Sequence, residues 1–154
     1  MIAVLQRILS ADVTADGEPY SKCGKGFLIL LGVSVDDTEE DARLLCDKIS
    51  KLRVFEDENE KLNLSVNDVG GSVMVVPNFT LLASYKKGNR PDFLKSAKPE
   101  TADKLFCYFC DYMSGLVPEV CRGKFRADMK VSLVNDGPIT ISMDSRVLKG
   151  ERDI

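Results

Sequence analysis

The chain has 154 residues, 44% of them hydrophobic, and a formal net charge of −3. That length forms one globular domain able to bury roughly two-thirds of the surface of its unfolded chain. The acidic balance argues against a general nucleic-acid binder, so any such contact must come from a local patch. Met1-Ile2-Ala3-Val4-Leu5-Gln6-Arg7 lacks the basic segment and long apolar run of a signal peptide, and no stretch approaches the ~20 apolar residues of a membrane span. A soluble, cytoplasmic protein with no membrane partner is expected.

There is no histidine. Ser-His-Asp triads, Cys-His dyads and histidine metal centres are therefore excluded, leaving backbone dipoles, hydroxyls, carboxylates, Lys and Arg, or help from a substrate. Five cysteines at irregular spacing do not make a disulfide framework. Cys107-Phe-Tyr-Cys110 lies in a helical pattern without a second pair, which reads as two core thiols one turn apart. No metal and no cofactor is expected.

In chain order, Ile2 to Ile8 reads as a strand, and Ala11 to Ala15 alternates into an Asp16-Gly17 hairpin signal. Arg7 interrupts the first strand. It is either a solvent-facing side chain or a guanidinium tying down a carbonyl-rich loop. Gly26 to Val33 is a continuous apolar run, expected to be a central strand covered on both faces. Asp36 to Glu40 supplies caps and negative charge for a helix carrying Ala42, Leu45, Ile49 and Leu52 on one face. Leu52 to Glu56 predicts a strand, Asp57 to Glu60 a polar turn, and Ser72 to Val76 a short buried strand.

Pro77 ends that strand and predicts a bend that could aim the N–H groups of Phe79 and Thr80 into a cleft. Tyr85-Lys86-Lys87-Gly88-Asn89-Arg90-Pro91 is a basic loop: a solvated surface, or a phosphate-backbone contact beside an aromatic. Pro99 opens a second helix whose Leu105, Phe106, Phe109, Tyr112 and Met113 read as core, and Gly115 ends it. Arg122 to Lys130 is a second basic cluster. Met129 to Val134 and Ile139 to Met143 predict two strands around Asn135-Asp136-Gly137-Pro138. That segment is an ordinary turn by composition, or a stiff loop with unpaired carbonyls, since glycine admits unusual dihedrals and proline fixes φ. Residues 1–146 form the domain; 147–154 are a charged tail, with fraying expected from Arg146 onward. The whole predicts an α+β fold, its sheet largely antiparallel, with two to three helices.

Pro77-Asn78-Phe79-Thr80-Leu81, taken with Asn135-Asp136-Gly137-Pro138-Ile139-Thr140, resembles the paired motifs of the D-aminoacyl-tRNA deacylase family. The likeness extends from Ala3 to about Ser145, through Leu30-Leu31-Gly32-Val33 and Lys87-Gly88-Asn89-Arg90-Pro91. It implies a barrel-like homodimer that hydrolyses the ester between a D-amino acid and the tRNA 3′ end. A cis Gly137-Pro138 peptide, inserted into the partner's pocket, would exclude L-amino acids but not glycine, so glycyl-tRNA mischarged on tRNA(Ala) is an expected substrate. The resemblance assigns catalysis to Phe79 and Thr80 and substrate binding to Pro77, Asn78, Gly137, Pro138, Arg7 and Met129. Lys86, Lys87 and Arg90 are then the tRNA contacts. Pro77 and Asn78 replace the family's serine and glutamine, and Arg126 stands where glycine is usual. Proline at this place is similar to a related group acting on L-alanine, which makes that specificity the alternative. A non-catalytic nucleic-acid-binding relative is the other alternative, although its C-terminal extension is largely missing here.

Overall fold

The computed structural model describes residues 1–151. Its strands are β1 (Ile2–Ala15), β2 (Glu18–Cys23), β3 (Gly26–Gly32), β4 (Phe55–Glu56), β5 (Leu62–Leu64), β6 (Ser72–Pro77), β7 (Glu119–Arg122) and β8 (Met129–Asp144). Its helices are α1 (Glu39–Ser50), α2 (Pro99–Ser114) and α3 (Ser145–Leu148), with a 3-10 turn at Phe79–Leu82. The fold is α+β.

The long β1 organises the sheet. Its first half pairs antiparallel with β3, its second half with β2, and its other edge with β8 along nearly its full length. β3 continues to β6 and β6 to β7, and these two pairings are parallel, so the sheet is mixed. The curl brings β7 back toward β2, where the Cys121 thiol donates to the Lys22 carbonyl at 3.4 Å. A nearly closed barrel results. Closure limits the free sheet edge that would otherwise invite pairing with other chains.

Burial follows the sequence pattern. β3 and β6 are short apolar strands flanked on both sides by others, and almost every residue in them is buried. Helix α1 lays Ala42, Leu45, Cys46 and Ile49 on the barrel, and α2 adds Leu105, Phe106, Phe109, Cys110 and Met113 to the same core. Cys110 is buried and Cys107 half-buried, so only one of the pair is fully core. Burial raises both thiols, Cys110 to about 12. At neutral pH neither is a thiolate, so neither is a ready nucleophile.

Three local expectations are corrected. The two segments predicted at the start are one strand, β1, because β8 pairs with it on both sides of the register shift around Ile8. The strand expected over Leu52 to Glu56 shrinks to Phe55–Glu56; the Val54 carbonyl instead accepts from the Arg7 side chain. The chain does not fray at Arg146. Ser145 opens α3, with Asp144 capping the Arg146 N–H. Buried Ser145 and Lys149 both reach the Asp41 carboxylate, at 2.7 and 2.9 Å. Burial alone would raise Asp41, but those two hydrogen bonds, with the Thr38 N–H and the N-terminal charge, together hold the carboxyl far below the usual range. Residues 152–154 of the expected tail lie outside the described residues.

Candidate active site

A cleft of about 530 Å³ opens where β3 and β6 end. Three segments meet there. Pro77 leaves β6, and the Asn78 N–H donates to the Leu31 carbonyl at 2.8 Å, which turns the chain into the 3-10 turn. Gly32 makes that approach possible, since a Cβ on it would sit 3.1 Å from Leu81 Cβ and 3.2 Å from the Asn78 carbonyl oxygen. Opposite, Gly123 packs against Pro77, Val76 and Met129, and its N–H donates to the Val75 carbonyl at 2.8 Å. This holds the loop carrying Phe125, Arg126 and Ala127 over the strand ends. The start of α2 closes the third side with Lys98, Pro99 and Ala102.

Of the residues expected from sequence, Pro77, Asn78, Phe79 and Met129 line this cleft together. Phe79 is 57% exposed and lies edge-on to Phe93, with ring centroids 5.0 Å apart. Its carbonyl accepts from Ser96 Oγ at 3.2 Å. The N–H groups of Phe79 and Thr80 begin the 3-10 turn and have no acceptor among the described residues. Thr80 does not line the cleft, and its hydroxyl donates to the Asn78 side-chain oxygen. Among the described residues no carboxylate or lysine hydrogen-bonds the Thr80 hydroxyl, which argues against a threonine nucleophile.

The second motif lies apart from the cleft. Asn135 to Thr140 is not a hairpin tip: β8 runs through it, and the segment bulges away from β1 where the register shifts around Ile8. The Gly137–Pro138 peptide is cis, both residues are exposed, and neither lines the cleft of their own chain. Asn135 braces the bulge from within. Its Nδ2 donates to Thr140 Oγ1 at 2.9 Å, and its Oδ1 accepts from the Ile139 N–H at 3.0 Å.

Arg7 braces the bulge from below. It is 4% exposed, which settles the two sequence readings in favour of the buried one. Its Nε donates to the Asp136 carbonyl at 3.1 Å and lies 3.2 Å from the Asp136 carboxylate. Its Nη1 donates to the Val54 carbonyl at 2.8 Å, and Nη2 lies 3.5 Å from Glu56. The planar fork of a guanidinium can satisfy several fixed acceptors at once, which a lysine could not. The structure thus places Arg7, Gly137 and Pro138 in one cluster. Pro77, Asn78, Phe79 and Met129 form another.

Lys86, Lys87 and Arg90 are exposed on a loop whose base is closed by paired Ser84 and Asp92 backbones. Sequence reasoning missed Phe93, Phe125 and Lys98 as lining residues and assigned Phe106 to core alone. Phe125 stood inside a basic cluster ahead of Met129, the one signal that could have marked it.

A family model described as D-Tyr-tRNA(Tyr) deacylase matches residues 4–144. Proteins named D-aminoacyl-tRNA deacylase from Caldicellulosiruptor saccharolyticus and Anaeromyxobacter dehalogenans are 50% and 51% identical to this chain, covering 95% and 96% of it and 98% and 99% of their own lengths. A protein of the same name from Yersinia enterocolitica is 52% identical over 91% of the chain and 97% of its own. A solved structure named c-Myc DNA Unwinding Element Binding Protein superposes with a TM-score of 0.88 at 39% identity, covering 94% of this chain and 98% of its own. Another, described as a probable eukaryotic D-amino acid tRNA deacylase, shares the fold at TM-score 0.81 and 15% identity, over 93% of this chain and 98% of its own. With both motifs inside the matched span, the chain belongs to the D-Tyr-tRNA(Tyr) deacylase family.

Proposed function

We propose that this protein hydrolyses the ester bond of D-aminoacyl-tRNA, releasing the D-amino acid and free tRNA. The observation that carries the reading is the family match across residues 4–144, which spans both the cleft and the braced bulge. Water adds to the ester carbonyl carbon and gives up a proton, and the carbonyl oxygen takes the negative charge. As the C=O bond re-forms, the acyl carbon's bond to the ribose oxygen breaks and the ribose oxygen takes up a proton. The free N–H groups of Phe79 and Thr80 are donors for the developing oxyanion, and the neighbouring ribose 2′-OH assists the water. An aminoacyl ester is already activated, so positioning and charge stabilisation suffice without histidine.

Handedness is read by the Gly137-Pro138 peptide. Because that peptide lies outside its own chain's cleft, it acts in the cleft of a second copy, making the enzyme a homodimer. A backbone wall without a Cβ at Gly137 leaves room for the hydrogen of a D-substrate's Cα and none for an L side chain. Glycine passes such a gate, so glycyl-tRNA mischarged on tRNA(Ala) is also a substrate. Met129, Pro77 and Asn78 shape the seat, and Lys86, Lys87 and Arg90 meet the tRNA backbone in the cytoplasm.

Purified protein incubated with D-Tyr-tRNA and L-Tyr-tRNA tests this: rapid release from the first and negligible release from the second is expected. Equal rates, or none, would overturn it. Pro77 at the cleft wall favours a second reading, an L-alanine-directed activity, which Ala-tRNA(Thr) in the same assay separates from the first.

A further inference from the structure

The charge on the cleft's lining is one-sided. Lys98 and Arg126 are its charged residues, both positive, and no carboxylate lines it. The chain as a whole is acidic, with 24 Asp and Glu against 21 Lys and Arg. Both side chains are exposed. Neither forms an ion pair among the described residues, whereas the neighbouring Lys124 and Lys130 are paired to Asp16 and Asp128. They come from different elements, Lys98 from the start of α2 and Arg126 from the loop between β7 and β8.

Arg126 also holds a costly backbone shape. Its φ is +63°, in the left-handed region that side chains with a Cβ rarely adopt. Backbone strain of that kind concentrates where a side chain has work at a site. Glycine would avoid the cost, but would leave the rim one charge short.

Behind these cations the cleft is aromatic, lined by Phe79, Phe93, Phe106 and Phe125. An apolar, ring-lined pocket with two unneutralised cations at its lip suits a flat ring system carrying an anion. We propose that Arg126 and Lys98 form a two-point clamp on the phosphate that joins the terminal nucleotide to the rest of the tRNA. The clamp rests on the deacylase reading, because it is the ester's own nucleotide that the cleft then seats. It anchors the leaving group at a fixed distance from Phe79 and Thr80. Arg126 supplies the directional, forked contact and Lys98 a mobile point charge.

The test is calorimetric titration of the intact protein with AMP, which carries the phosphate, and with adenosine, which lacks it. The wild type binds AMP about tenfold more tightly than adenosine, the scale of one charge-assisted contact. R126Q and K98Q each shrink that ratio, the double variant abolishes it, and R126K keeps more of it than R126Q but less than the wild type, because a point charge replaces the fork. Adenosine affinity moves less than about twofold throughout, as expected when only a phosphate contact is lost. AMP binding no tighter than adenosine binding, including no detectable binding of either, overturns the clamp, as does a double variant that keeps the preference. A protein that hydrolyses D-Tyr-tRNA yet shows no AMP preference loses the clamp alone. One that prefers AMP but releases nothing from D-Tyr-tRNA loses the deacylase reading.

Discussion

Two loops of this chain read alike in sequence and are built in opposite ways. Asn135 to Thr140 and Tyr85 to Pro91 both mix glycine, proline and polar residues between ordered segments. The first is braced at every turn, by Arg7 beneath it and by both ends of the Asn135 amide within it. The second is tied only at its base, where Ser84 and Asp92 pair, and Tyr85 at its start is 81% exposed. Lys86, Lys87 and Arg90 have no ion-pair partner among the described residues. Under the proposed gate, a segment that rejects one enantiomer has to hold its shape against a load. A segment that meets a flexible polyanion gains from yielding. The difference lies in a buried guanidinium, and the way to probe it is to remove the braces one at a time.

Removing Arg7 should have the largest effect. Arg7→Ala strands the Val54 and Asp136 carbonyls and opens a void under the bulge. The Asp136 and Glu56 carboxylates left behind are partly exposed, so the cost comes from the unpaired carbonyls and the void, about 2–4 kcal/mol. Urea unfolding should show that loss, and D-Tyr-tRNA hydrolysis should fall by about two orders of magnitude or more as the gate loosens. Stability within error of wild type would mean that the bulge holds itself.

Next comes Gly137→Ala. The added Cβ would lie 2.9 Å from Ile139 Cγ1 and 3.0 Å from the Ile139 nitrogen, at a φ of +129° that only glycine adopts readily. The bulge is exposed and can shift, so the stability cost should stay near 1–3 kcal/mol. If the proposed gate holds, D-substrate turnover should drop at least tenfold, because the methyl group projects from the surface that meets the substrate. A melting curve beside the D/L assay separates the two effects. Activity at the wild-type level would remove the steric account of chirality.

Asn135→Ala should cost less again, about 1–2 kcal/mol, since two neutral hydrogen bonds are lost and the Ile139 N–H is half-buried and can reach water. Its sharper signature is in selectivity. With the amide brace gone but Arg7 in place, L-Tyr-tRNA hydrolysis should rise relative to D-Tyr-tRNA. An unchanged D/L ratio would assign the rigidity to Arg7 alone.

The difference between these loops was only partly legible in the sequence. Strands rich in β-formers, the α1 pattern and the Pro99 start of α2 were readable because each depends on neighbours within a turn or two. Arg7 was undecided because its acceptors lie 47 and 129 residues away, at Val54 and Asp136. Asn-Asp-Gly-Pro looked like a hairpin tip because local turn chemistry favours one. What overrides it is β1, a 14-residue strand long enough to pair with both flanks of the bulge and keep β8 continuous. The cleft was half visible. Pro77 to Phe79 follow from a strand that ends in proline, but Phe93 and Phe125 arrive from loops whose positions only the closed barrel fixes. The aromatic stripe of α2 misled for a related reason, since Phe106 serves the core and the cleft with one ring.

The smallest effect on stability belongs to the loose loop. Exchanging Lys86, Lys87 and Arg90 together for glutamine removes three exposed charges that make no fold contacts, so the unfolding free energy should move by less than about 0.5 kcal/mol. Affinity for tRNA is another matter. Each phosphate contact releases condensed counterions, and the slope of log K against log salt concentration should flatten by roughly 0.7 per lost charge on a single strand. The variant should therefore bind aminoacyl-tRNA more weakly at low salt and converge on the wild type as salt rises. Its D/L ratio should not change, because the proposed gate includes no residue of this loop. A shifted D/L ratio would mean that the loop's contacts reach the chiral step. An unchanged salt slope would place the polyanion elsewhere, with Lys98 and Arg126 at the cleft as candidates to receive it.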